Sequence, residues 1–220
     1  MTTTVTKARD TAFTAAMDAV LHHHSAFMEH ALLVSDSTDG TDGAFVHQSS
    51  VCPLPGPQLP LDLLNRMFPD APTSVRGIWG DMLKQLDNHQ RSMEKAVLNA
   101  TGQLSKDGDT TAWKRALEGE KRELRTAVDA SVRAACEKVA ALARDNPKWH
   151  DYILSWTAEV VGFTTDVVAT VVNFTTYTAR TGAKDPERTQ ALIESFFTHS
   201  RANVDHWVLS NLTVIDRPVR

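Results

Sequence analysis

Residues 159–177 read EVVGFTTDVVATVVNFTTY, a run so rich in valine, threonine and phenylalanine that it could form a strand, a membrane span or one face of a helix. A half-buried strand alternates apolar and polar residues, but here Val160-Val161, Val167-Val168 and Val171-Val172 come as adjacent pairs. Trp156, Val160, Phe163, Val167, Val171 and Phe174 succeed one another at steps of three or four, while Glu159, Asp166, Asn173 and Arg180 recur every seven residues. The spacing predicts an amphipathic helix whose polar seam, those four residues, looks outward or into a wet space. Each charge at the middle of a bilayer would cost roughly 2.5 kcal/mol or more, so a spanning helix would need a partner or a lumen to receive the seam. β-Branched residues lose side-chain freedom in helices, at some tenths of a kcal/mol each, so burial of the apolar face must compensate.

The same period extends outward along the chain. Phe13, Met17, Val20, His24, Phe27, Ala31 and Val34 predict a helix from about Val5 to Val34. From Ser35 to Pro72 the density of Asp, Gly and Pro forbids a long helix, although LDLLNRMF after Pro60 suits a short one. A connection of this length is unusual inside a compact domain and reads as an extended arm. Val75, Trp79, Met82, Leu86, Met93, Val97, Ala100 and Leu104 mark a second long helix, with Thr73 or Ser74 as its cap. Trp113, Leu117, Leu124, Val128, Val132, Ala135, Val139 and Leu142 mark a third, with outer charge pairs Glu118–Arg122 and Asp129–Arg133. The opening stretch is the fourth, from about Lys148 to Thr181. Asp185-Pro186 starts a fifth that carries Leu192, Ile193, Phe196, Phe197, Val204, Trp207 and Val208.

The expected fold is therefore all-α: an elongated antiparallel bundle of four to five long helices, with a Pro/Gly/Asp-rich arm between helices one and two. It divides into an N-terminal helix (1–34), the arm (35–72), the bundle core (73–213) and a short tail (214–220), within a single domain. No repeat of fixed period suggests a solenoid.

At 220 residues the chain is long enough to bury a core without staples, and 42% hydrophobic with 23% charged residues is a globular balance. A net charge of −4 gives no global field for nucleic acid, which is a possible but unfavoured partner. Cys52 and Cys136 form no disulfide framework or metal motif. The N-terminal residues lack the apolar run of a secretory signal, and with no spanning segment the expected location is cytoplasmic or otherwise intracellular.

His22, His23, His24 and His30 invite a metal, but consecutive helical residues diverge by about 100°, and His23 and His30 lie roughly 10 Å apart along the axis. His24 falls on the apolar stripe and reads as a hydrogen-bonded core or interface histidine. His199, Asn203 and His206 share the spacing problem. Asp36, Asp39 and Asp42 miss the ligand spacing of a calcium loop. Lys114, Arg115, Lys121, Arg122 and Arg125 are interleaved with Glu118, Glu120 and Glu123, which reads as a solvated helix face. No metal, cofactor or catalytic group is assigned.

Three functions compete on these grounds. The leading expectation is a non-enzymatic structural protein, a homo-oligomer of filament or coat type. It would assemble through helix faces and the arm, burying Phe45, Leu54, Leu59, Leu61, Leu64 and Phe68 between subunits. The alternative is an amphipathic protein that associates with a lipid or other apolar surface, including by forming a pore. The third is a helical pocket for a small ligand, hinted at by Trp79, Trp113, Trp149, Trp156 and Trp207.

Overall fold

The computed structural model describes residues 2–37 and 66–212, and the side chains within them apart from 2–6, 27–37, 203 and 206–212. It is an all-α bundle of five long helices: α1 (Thr2–Ser37), α2 (Thr73–Asp107), α3 (Thr110–Arg144), α4 (His150–Thr181) and α5 (Pro186–Leu212). Short 3₁₀ turns, Pro147–Trp149 and Gly182–Lys184, lead into α4 and out of it.

Local chemistry explains the joints. α2 ends at Gly108, whose φ of 69° suits a residue without a Cβ and lets its N–H reach the Leu104 carbonyl. At the next residue, the Asp109 carboxylate accepts from the N–H groups of Thr111 and Ala112, satisfying the open first turn of α3. Asp185 does the same for Arg188 at the head of α5, which opens on a proline. The expected cap of α2 is corrected: Thr73 is already helical, Pro72 precedes it, and no side chain caps that end.

Gly182 closes α4 for a different reason from the left-handed stop its position suggests. Its φ is −75°, open to any residue. Space is the constraint, because a Cβ there would lie 2.7 Å from Thr189 Cγ2 and 3.1 Å from the Trp113 ring. The Thr189 hydroxyl lies within hydrogen-bond distance of the Gly182 and Asp185 carbonyls, drawing the start of α5 onto the end of α4.

α4 is the axis of the bundle. It packs against α1, α2 and α3, while α2 also packs against α3 and α5. Of its 32 residues, 20 are buried, which is too many for one apolar stripe. The reason is that threonine makes a helix face apolar when its hydroxyl turns inward: Thr157, Thr164, Thr165, Thr170, Thr175, Thr176, Thr178 and Thr181 each donate to the carbonyl four residues back. No buried donor is left open by these residues, and their methyls join the valines in the core.

Among the described side chains, α2, α3 and α5 bury most of their expected stripes. Val75, Trp79, Met82, Leu86, Met93, Val97 and Leu104 of α2 are in the core, as are Trp113, Leu117, Leu124, Val128, Val132, Ala135 and Val139 of α3. Ile193, Phe197 and Val204 fill the same role on α5, with Phe196 stacked on Phe174 of α4 at 3.7 Å. Leu192 departs from its expected face and is 45% exposed.

Polar ties hold the layers in place. Gln90 of α2 donates to Ser200 of α5, and Glu94 pairs with Arg201 between the same helices. Lys121 is corrected from solvated face to core: it is buried, donating to Thr176 of α4 at 2.9 Å and pairing with Glu118 at 2.7 Å. Glu118 thus takes Lys121, not Arg122, as a partner, whereas Asp129 and Arg133 pair as expected at 2.8 Å.

Candidate functional site

A cavity of about 390 Å³ opens between α1 and α3. Phe13, Met17 and Leu21 of α1 and Ala140 of α3 give it apolar walls, with Cys136 alongside and His150 at the head of α4. Phe13 and Met17 belong to the core stripe of α1, so the same period that docks this helix also builds the wall. Asp10, Asp18, Glu137 and Arg144 bring charge to the lining.

His150 is 3% exposed and stacks on the Phe13 ring with centroids 4.2 Å apart. Its Nε2 lies 3.0 Å from the Ala143 carbonyl, an acceptor, so Nε2 carries the hydrogen and donates it there. The Nδ1 of the neutral ring is then a bare acceptor, and it is buried without a partner. Asp10 Oδ1 is a second buried acceptor without a partner. A polar atom in that condition forfeits on the order of 1–3 kcal/mol, which makes the two atoms informative in an apolar setting.

Cys136 is 2% exposed, and burial pushes its thiol up to about 12, with Arg133 opposing and Glu137 adding to the shift. It is a neutral wall element.

Beyond the cavity on the same α1–α3 seam lies a second polar cluster. His24, which is buried, meets Thr165 of α4 through Nδ1, and its Nε2 faces Asp129 Oδ1 at 3.6 Å. Ser25 donates to Asp129 at 3.2 Å, and Arg133 binds both Asp129 and Ser25. This cluster ties α1 to α3 and α4, and none of its residues lines the α1–α3 cavity.

The seam residues Glu159, Asp166 and Asn173 are half-buried on α4, and Arg180 is exposed. Burial raises the Asp166 carboxyl above the usual carboxylate range. None of the four lines the α1–α3 cavity. Of the arm residues, Phe45, Leu54, Leu59, Leu61 and Leu64 lie outside the described residues; Phe68 is half-buried against the bundle, its ring 5.8 Å from Tyr152. His22 and His23 are exposed, and His199 turns its Nδ1 to the Ser195 carbonyl. The side chains of His30, Asn203 and His206 lie outside the described residues. Among those described, no three His, Cys, Asp or Glu side chains converge to hold a metal ion. Trp79, Trp113 and Trp156 are core residues and Trp149 is half-buried; the side chain of Trp207 lies outside the described residues.

Asp10 and His150 are the site residues that the sequence reading passed over. Nothing in their local spacing marks them, since Asp10 is followed by ordinary helix and His150 by Asp151, Tyr152 and Ile153 of α4. No protein-family model matches this chain, and neither does any curated protein or solved structure, so the site is read from its own chemistry. No described helix is long and apolar enough to cross a membrane.

Proposed function

We propose that this protein is a non-catalytic helical binding module that seats a small, mainly apolar ligand in the cleft between α1 and α3. The observation that carries the reading is the apolar cavity of about 390 Å³ itself, with His150, whose buried Nδ1 has no partner, among the residues of its lining. That volume is in the range of small-molecule sites, where apolar walls supply affinity and a few polar groups supply orientation. The thiol at the cleft is held neutral by burial, away from the thiolate a nucleophile requires, which favours a binding role for Cys136 over a nucleophilic one.

The reading takes the bundle as elongated, with successive helices antiparallel. The pairings Thr101–Trp113 and His89–Ser131 support this for α2 and α3, and His150–Ala143 with Lys121–Thr176 support it for α3 and α4. α1 is set differently: Phe13 meets His150 and His24 meets Thr165, so it runs alongside α4 in the same sense. Self-assembly through the 35–72 arm has less support, because Phe68 packs on its own bundle.

The test is titration with the neutral apolar dye N-phenyl-1-naphthylamine. The expected result is a saturable fluorescence rise at one dye per chain, weakened at least tenfold by Ala140→Trp, which fills the cleft. A linear, non-saturating signal, or saturation indifferent to Ala140→Trp in a folded variant, would overturn the reading.

A further inference from the structure

We infer that the cleft selects a cationic amine on an apolar body, an inference that rests on the cleft being a ligand site. Two residues of its lining carry a buried atom without a partner, and both atoms accept hydrogen bonds: Asp10 Oδ1, and His150 Nδ1 because the opposite ring nitrogen already donates to Ala143. A ligand bringing only acceptors leaves them both open, whereas a primary ammonium brings three donors. The charge around the cavity has the matching sign, with the carboxylates of Asp10, Asp18 and Glu137 set against the single guanidinium of Arg144. The apolar remainder of the cavity then receives the hydrocarbon body, while a carboxylate or phosphate head would meet like charge, with Arg144 the one cationic side chain of the lining.

Calorimetric titration of the full chain at pH 7 with 4-phenylbutylamine, 4-phenylbutan-1-ol and 4-phenylbutyrate tests the selection, since the three share one body. The expected order is amine tightest by at least tenfold, then alcohol, then carboxylate. Asp10→Asn is expected to remove about tenfold of the amine's affinity and to leave the alcohol within twofold; Glu137→Gln, on the surface of α3, is expected to remove about threefold. Equal binding of the three, preference for the carboxylate, or an amine preference unchanged in both variants would overturn the inference while dye saturation left the cleft reading standing. If the dye also fails to saturate, the cleft reading falls and takes the inference with it.

Discussion

His24 Nδ1 lies 2.6 Å from the Thr165 hydroxyl oxygen, joining α1 to the axis of the bundle. Thr165 has one proton and gives it to the Val161 carbonyl at 2.7 Å, so the ring nitrogen must be the donor in this pair. The neutral His24 ring then turns a bare Nε2 toward Asp129, where it has no hydrogen-bond partner.

Burial is the largest influence on the His24 ring and lowers its pKa from the ordinary 6.5; Asp129 opposes this and Arg133 reinforces it. A histidine depressed in the folded state contributes stability that is fully present above 6.5 and is lost as pH falls toward the folded value. Urea midpoints should therefore fall between pH 7.5 and 5.5, and His24→Gln should shrink the change. An unchanged pH response in His24→Gln would assign the effect elsewhere, for instance to His89, which burial also lowers. Thr165→Val, which strands the Nδ1 hydrogen, should cost about 1–3 kcal/mol at pH 7.5 by the same measurement.

Gly182→Ala should destabilise the protein by about 1–3 kcal/mol, because the new methyl collides with Thr189 and Trp113. Thermal melts should show a loss of several degrees. Thr189→Ser removes the closest atom, Cγ2, so the double variant should lose less than the sum of the two single changes. Strict additivity would mean that the collision is relieved by backbone movement instead.

Cys136 should resist thiol reagents in the native state. In a Cys52→Ser background at pH 8, a disulfide reagent such as DTNB should label Cys136 at the rate of opening or unfolding and at full stoichiometry in denaturant, since the thiol is buried and pushed up to about 12. Prompt labelling of the folded protein would contradict the burial. A thiol raised in this way contributes stability that persists below its ordinary 9.0 and fades as pH climbs toward 12.

Asp166→Asn should stabilise slightly at neutral pH. Burial raises the folded carboxyl, so the ionised form is disfavoured by the fold above the ordinary value of 3.8, and the penalty disappears on acidification. The group is only half-buried, and solvent screening leaves about 0.5 kcal/mol or less, a rise in Tm of about 1–2 °C at pH 7. That gain should vanish near pH 3; a gain independent of pH would point to packing rather than charge.

The helices themselves were legible because a 3.6-residue period is local, and a stripe such as Val75-Trp79-Met82-Leu86 needs no knowledge of its neighbours. The extent to which α4 is enclosed was not, since threonine counts as polar until its hydroxyl is seen bonded to its own helix. Lys121 was misassigned for a related reason: a lysine between glutamates reads as surface unless a partner such as Thr176 is known to stand opposite. The cleft was least accessible, because Asp10, Cys136 and His150 come from three distant segments, and what distinguishes them is the absence of a donor near two atoms.

Valine and threonine share nearly one outline, and that likeness has a mechanical effect on α4. Slid by a turn, the stretch of α4 from Thr164 to Val172, with its coat of forked side chains, would offer the surrounding helices much the same contour, and the shape of that stretch alone would discriminate weakly between settings. Two pegs break the degeneracy: Thr165 under the imidazole of His24 and Thr176 under the ammonium of Lys121, about eleven residues and three turns apart on one rod. A buried polar contact that fits only one alignment helps set where a helix stops along its axis, so these hydroxyls, with the buried rings of Tyr152, Trp156, Phe163 and Phe174, fix the longitudinal position of α4 and with it the spot where His150 meets Phe13.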